Sequence, residues 1–170
     1  MRKLLVLSLI IATIAGFGFN KGPEYVFDGF RGIKWGTHKD SVFMDGEKVD
    51  FVPTKDVNGD NAYFIKNDDL MIGTVTLKNI YYNFNLNDRF NKVLMYGDKQ
   101  FKEMLYILSY KWGDSPEVTK SPAGTTYRWV VDDVRVYLSR DGETENFTLE
   151  FSSNFELSEA KKINRTIDDF

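Results

Sequence analysis

The sequence predicts an α+β fold: a single domain built on a mainly antiparallel meander sheet, with two or three helices packed on it. Three observations lead there. Short apolar runs alternate with a period of two and are separated by turn residues, the signature of strands in a hairpin-connected sheet. One segment repeats its apolar residues as a helix does, at Phe101, Met104, Leu105, Leu108 and Trp112. Finally, 14 Phe, 9 Tyr and 3 Trp supply large side chains of the kind that fill a sheet face.

The chain opens MRKLLVLSLIIATIAGFGFN. Arg2 and Lys3 precede an apolar run from Leu4 to Ile14, and Thr13 and Ala15 are small residues before a cleavage point. This is the layout of a secretory signal over residues 1–15, with Gly18 as the alternative cleavage point. The run is shorter than the ~20 residues that a membrane-spanning helix needs. No Cys follows it, so no lipid anchor of the bacterial lipoprotein kind is expected. The expectation is an exported, periplasmic protein whose mature chain does not insert into a membrane. Residues 16–29 read as an irregular lead-in and residues 30–170 as the domain.

Charge narrows the partners. The whole chain carries 22 Lys+Arg against 25 Asp+Glu, a net charge of −3, and loss of Arg2 and Lys3 makes it −5. An acidic chain without a basic run does not suit nucleic acid or an anionic membrane surface. There is no cysteine, so stability in an oxidising compartment must come from the core.

The elements follow in order. Thr37 caps a short helix running to Met44, with Val42 and Phe43 facing the core and Gly46 at its exit. Lys48–Val52 is a strand, with Val49 and Phe51 on one face, and Pro53 ends it. Ala62–Lys66 returns, and Asn67-Asp68-Asp69 turns. Leu70–Leu77 is a strand with a bend at Gly73. Ile80, Tyr82 and Phe84 share a strand face from which Tyr81 points away. After a loop at 85–88, Arg89–Tyr96 pairs back with one slip of phase. Asp98 caps the main helix, which Gly113 closes and Pro116 forbids from continuing. Thr125–Val131, Val134–Leu138 and Phe147–Phe151 are strands joined by turns at Asp132-Asp133 and 140–143. Leu157, Ala160, Ile163 or Asn164, and Ile167 mark a last helix, capped by Ser158. Lys-Trp-Gly occurs at 34–36 and at 111–113 in different contexts, and is read as coincidence.

DVNGDN at 56–61 resembles the start of a calcium loop. Asp56, Asn58 and Asp60 occupy the first, third and fifth positions. Asn61 replaces the glycine at six, and Asn67 stands where a bidentate Glu is needed. Strand-like sequence flanks the stretch, and Asn58-Gly59 is a hairpin-turn signal. A hairpin turn is the preferred reading, with a calcium-stabilised module as the alternative.

Catalytic sets are scarce. His38 is the only histidine and sits at an element start. A zinc site of the usual kind needs several His or Cys, and neither G-x-S-x-G nor a phosphate-cradling glycine loop occurs. The pairs Asp68-Asp69, Asp132-Asp133 and Asp168-Asp169 fall in turns or at the terminus and read as solvated. No catalytic, cofactor-binding or metal residue is assigned. Tyr81, Tyr82, Phe84 and Trp35 read as core filling before a ligand platform.

Three stretches, FRGIKWGTHKDSV, IYYNFNLNDRFNKVLM and FKEMLYILSYKWGDSP followed by YRW, resemble a group of uncharacterised exported proteins and lipoproteins of bacteria. Their pattern is a G-I-x-W-G-T opening motif, a Y-x-F hairpin, a helix and a Trp-bearing strand. The resemblance spans Phe30 to Phe151, with one extra residue before Pro116 in the post-helix turn. It implies a layered sheet and helix similar to beta-lactamase-inhibitor-like folds and carries no activity across. The functional expectation is an exported, non-enzymatic binding or interaction module for a protein or cell-envelope component. The alternatives are the calcium-stabilised module and a hydrolase with an unrecognised Ser or Asp site.

Overall fold

Period-two alternation becomes an eight-stranded antiparallel sheet. The computed structural model describes residues 27–113, 117–142 and 144–155. The strands of the large sheet are β1 (Phe51–Lys55), β2 (Asn61–Ile65), β3 (Asn79–Phe84), β4 (Phe90–Gly97), β5 (Glu117–Ser121), β6 (Gly124–Val131), β7 (Val134–Asp141) and β8 (Phe147–Ser153). Helix α1 (Phe101–Trp112) lies between β4 and β5 in sequence. The spatial order is β5-β6-β7-β8-β4-β3-β2-β1. Two four-stranded meanders are thus joined by their last strands, β4 and β8. That seam has six paired positions, from Lys92↔Ser152 to Gly97↔Phe147.

Register explains the core. Tyr82, Val93, Phe151, Val136 and Trp129 stand side by side across five strands, and Ile80, Met95, Leu149, Leu138 and Tyr127 form the next row. All but Tyr127 are buried, and each fully buried large side chain contributes about 1.5–3 kcal/mol. Helix α1 covers these rows with Phe101, Met104 and Leu108. The Phe101 ring lies 5.9 Å from Tyr127 and 6.4 Å from Phe147. Gly97 is dictated by the same packing, because a Cβ there would meet the Phe147 ring at 2.4 Å.

Three two-residue ribbons pack on the same side as α1: Gly29–Phe30 with Ile33–Lys34, Phe43–Met44 with Glu47–Lys48, and Met71–Ile72 with Val75–Thr76. They add Phe30, Ile33 and Val75 to the core, and the flanking Val42 and Leu77 join them. The G-I-x-W-G-T residues are structural here. The Trp35 ring stacks on Phe90 at 4.8 Å and its indole N–H donates to the Phe27 carbonyl at 3.1 Å.

The expected α+β class with two or three helices is overturned. Among the described residues the molecule is mostly β, with a single helix of seven residues or more. The helix expected from Thr37 to Met44 is only a 3-10 turn at Lys39–Ser41, capped by the side chain of His38. Val42 is already extended, and Phe43 is 61% exposed, not in the core. Asp45-Gly46 decides this. Both residues have positive φ, which is the geometry of the tight hairpin turn that Asp-Gly favours. Leu70–Leu77 is likewise a small ribbon turned at Gly73, not one strand. Pro53 lies inside β1 instead of ending it, tolerated because β1 is an edge strand. Gln100, in a left-handed conformation, starts α1, while Asp98 pairs with Lys78 at 2.9 Å. The signal segment and the C-terminal helix expected from Leu157 to Ile167 lie outside the described residues.

Candidate functional site

With α1 and the ribbons all on one side, alternation sends every second residue of the sheet to the other face. The register arranges these residues in three rows. The central row is Tyr81, Leu94, Glu150, Tyr137, Arg128 and Glu117. On one side of it runs a row of hydroxyls: Tyr96, Thr148, Ser139, Thr126 and Thr119. On the other side lie Asn83, Lys92, Ser152, Arg135 and Val130. Tyr81, Tyr96 and Tyr137 are half-buried, as are most residues of the face. No described helix or ribbon lies over it.

Each row has its own chemistry. In the central row the Arg128 guanidinium pairs with Glu117 at 2.8 Å and lies 6.0 Å from the centre of the Tyr137 ring. Glu150, next across from Tyr137, makes no hydrogen bond or ion pair among the described residues. In the hydroxyl row Thr126 and Ser139 are bonded at 3.0 Å. A cleft of about 330 Å³ opens where this row meets the turn at Ser121–Gly124. In the third row the Nζ of Lys92 stands 3.8 Å from both Asp56 and Asp60.

Burial raises the Glu150 carboxyl above its usual range, with Lys92 opposing and Asp56 adding to the rise. The linkage has a definite sign. A carboxyl that holds its proton more tightly in the folded chain than in the unfolded one makes stability fall as pH rises through that window. Glu150 is therefore a destabilising charge at neutral pH.

DVNGDN forms the β1–β2 turn. The Asp56 amide donates to the Asp60 carbonyl at 3.0 Å, and Gly59, at φ +83°, donates to the Asp56 carbonyl at 3.0 Å. The buried Asp56 side chain does not point into an open loop. Its Oδ1 accepts from the Asn58 and Asp60 amides at 2.9 and 3.1 Å, and its Oδ2 accepts from Asn83 Nδ2 at 3.3 Å. Asp60 faces Lys92. Among the described residues no three His, Cys, Asp or Glu side chains gather to hold a metal ion.

The remaining sequence candidates are dispersed. His38 is a half-buried cap that bridges Arg89 just before β4, and its Nδ1 accepts from the Asp40 amide at 3.3 Å. Asp68 corrects an expectation: it is not a solvated turn carboxylate. Its side chain is buried, ion-paired with Arg31, and accepts from the Tyr82 hydroxyl at 2.8 Å. Tyr82 and Phe84 belong to the aromatic packing around Phe90. Trp129, whose face the pattern leaves open, lies on the α1 side and donates to the Gly113 carbonyl at 3.4 Å. Tyr81 does point away from Tyr82, onto the open face. Glu150 escapes a reading of the sequence. Its one local signal is a charge at the centre of FTLEFSS, while its neighbours come from β4 and β7.

Comparisons of the chain with protein-family models, with curated proteins and with solved structures find no match.

Proposed function

We propose that the protein is an exported, periplasmic, non-enzymatic binding module that holds a protein or cell-envelope component on the open face of its large sheet. One observation carries the reading: a broad sheet face that no described element covers, whose three half-buried tyrosines stand among charged and hydroxyl side chains. Tyrosine offers a large rigid contact surface with a polar tip and is enriched in protein interfaces. The covered face, by contrast, is filled by its own aromatic side chains and α1. The export signal read in residues 1–15 supports the location.

The test is positional. A photo-crosslinking residue placed at Val130 or Arg135, exposed on the open face, is compared with one at Tyr106 or Tyr110, exposed on α1. In the exporting cell the sheet positions are expected to give one discrete adduct and the helix positions none. Adducts from the helix alone, or equal adducts from both sides, contradict the reading.

A further inference from the structure

Glu150 stands near the middle of the open face, on β8, one of the two central strands. It is half-buried and makes no hydrogen bond or ion pair among the described residues, although three cations share its face and Lys92 acts on its charge. Each of the three lies elsewhere in the register. Arg128 is held by Glu117 at 2.8 Å. Lys92 is drawn toward Asp56 and Asp60, at 3.8 Å from each. Arg135 lies in the outer row, opposite Ser152 and Val130.

The same row shows how this face holds a guanidinium. Arg128 sits between the Glu117 carboxylate and the Tyr137 ring, in an arrangement of acid, cation and aromatic. Glu150 lies directly across from Tyr137 on its other side. Side chains in such cross-strand positions are about 4.5–5.5 Å apart at Cβ. The one Tyr137 ring therefore has Arg128 on one flank and, on the other, an acid that holds no ion-paired cation among the described residues. On Glu150's other flank is Leu94, only 2% exposed, with Tyr81 beyond it. Leu94 thus gives Glu150 an apolar neighbour on that flank.

We propose that Glu150 anchors an arginine side chain of a basic protein segment, with its guanidinium laid against the Tyr137 ring. This rests on the reading of the open face as the binding surface, and it names the partner's chemistry. Arginine fits better than lysine because its planar group forms paired bonds to a carboxylate and stacks on a ring at once. Charge favours it as well. Asp56, Asp60, Glu117 and Glu150 are four carboxylates against Lys92, Arg128 and Arg135, on a chain of net charge −3. An arriving cation would also relieve the cost of the desolvated carboxylate.

The experiment uses the full chain and acetyl-Gly-Arg-Gly-amide, followed by amide shifts in two-dimensional NMR. The neutral isostere is the same peptide with citrulline. Saturable shifts are expected at Leu94, Tyr137 and Glu150 with the arginine peptide, and none with citrulline. Glu150→Gln should weaken the response at least tenfold, while Glu47→Gln, exposed on the second ribbon, leaves the Glu150 response within twofold. Loss of binding in Glu150→Gln will not be unfolding, since removal of a desolvated charge is expected to raise its thermal midpoint at pH 7. Equal response to citrulline, an unchanged Glu150→Gln variant, or no saturable shift overturns the proposal. If the peptide fails while crosslinks still form at Val130 and Arg135, the arginine assignment falls and the binding face stands. If both fail, both fall.

Discussion

Asp68→Ala is expected to destabilise the fold by about 3–5 kcal/mol, the range seen when one partner of a buried ion pair is removed. The side chain of Asp68 is 7% exposed and serves two groups at once. One oxygen takes the Arg31 guanidinium, and the other takes the hydroxyl of the fully buried Tyr82. Arg31 also donates to the Met71 carbonyl at 3.0 Å. The network therefore joins the first ribbon, the third ribbon and β3. Alanine would leave a largely buried cation without its anion and a buried hydroxyl without an acceptor. The hydroxyl is strongly held as a donor: burial first, and then Asp68, push its ionisation far above the usual tyrosine range. Tyr82→Phe should cost much less, about 1 kcal/mol, because Asp68 keeps Arg31. The double variant should lose less than the sum of the two. Urea denaturation of the three variants measures this, and strict additivity would show that the groups are not coupled.

Leu149→Ala is expected to cost about 2.7–5 kcal/mol, as large-to-small changes in closed cores do. Leu149 has no exposed surface and stands between Met95 and Leu138 at the β4–β8 seam. Its chain neighbour Thr148 points to the open face, so Thr148→Ala should stay within about 0.5 kcal/mol. Thermal and chemical denaturation of this adjacent pair reads the two faces of one strand. Similar losses at both positions would mean that the face opposite α1 is covered as well.

Much of this architecture is legible in the residues. FTLEFSS and VRVYLSRD alternate so strictly that their buried sets, Phe147, Leu149 and Phe151 with Val134, Val136 and Leu138, follow from periodicity alone. The spacing of Phe101, Met104 and Leu108 places α1 to the residue at its C-terminal end. The phase slip read in 89–96 is the register shift between Phe90 and Lys92. Other features lacked a local signal. Strand β5, Glu-Val-Thr-Lys-Ser, is exposed at every position and exists through its pairing with β6. No apolar pattern marks it. The helix expected at Thr37–Met44 does not form because Asp45-Gly46 is a stronger turn signal than the capping residues before it. Asp68 looked solvated because its partners, Arg31 and Tyr82, are distant in sequence. Glu150 could be placed on a strand face, but the register that sets it beside Tyr137 is a tertiary fact. The candidate site is thus the least legible part of the molecule, being assembled from six strands whose order the sequence does not state.

Among the described residues, one face of the sheet is filled and covered by α1 and the ribbons while the other is open. Relaxation of side-chain NMR signals by a neutral, water-soluble paramagnetic probe tests it most directly. Strong enhancement is expected at Thr126, Thr148, Tyr81 and Tyr137, and little at Val93, Met95, Leu138 and Leu149. Protection of the first group to the level of the second would contradict it.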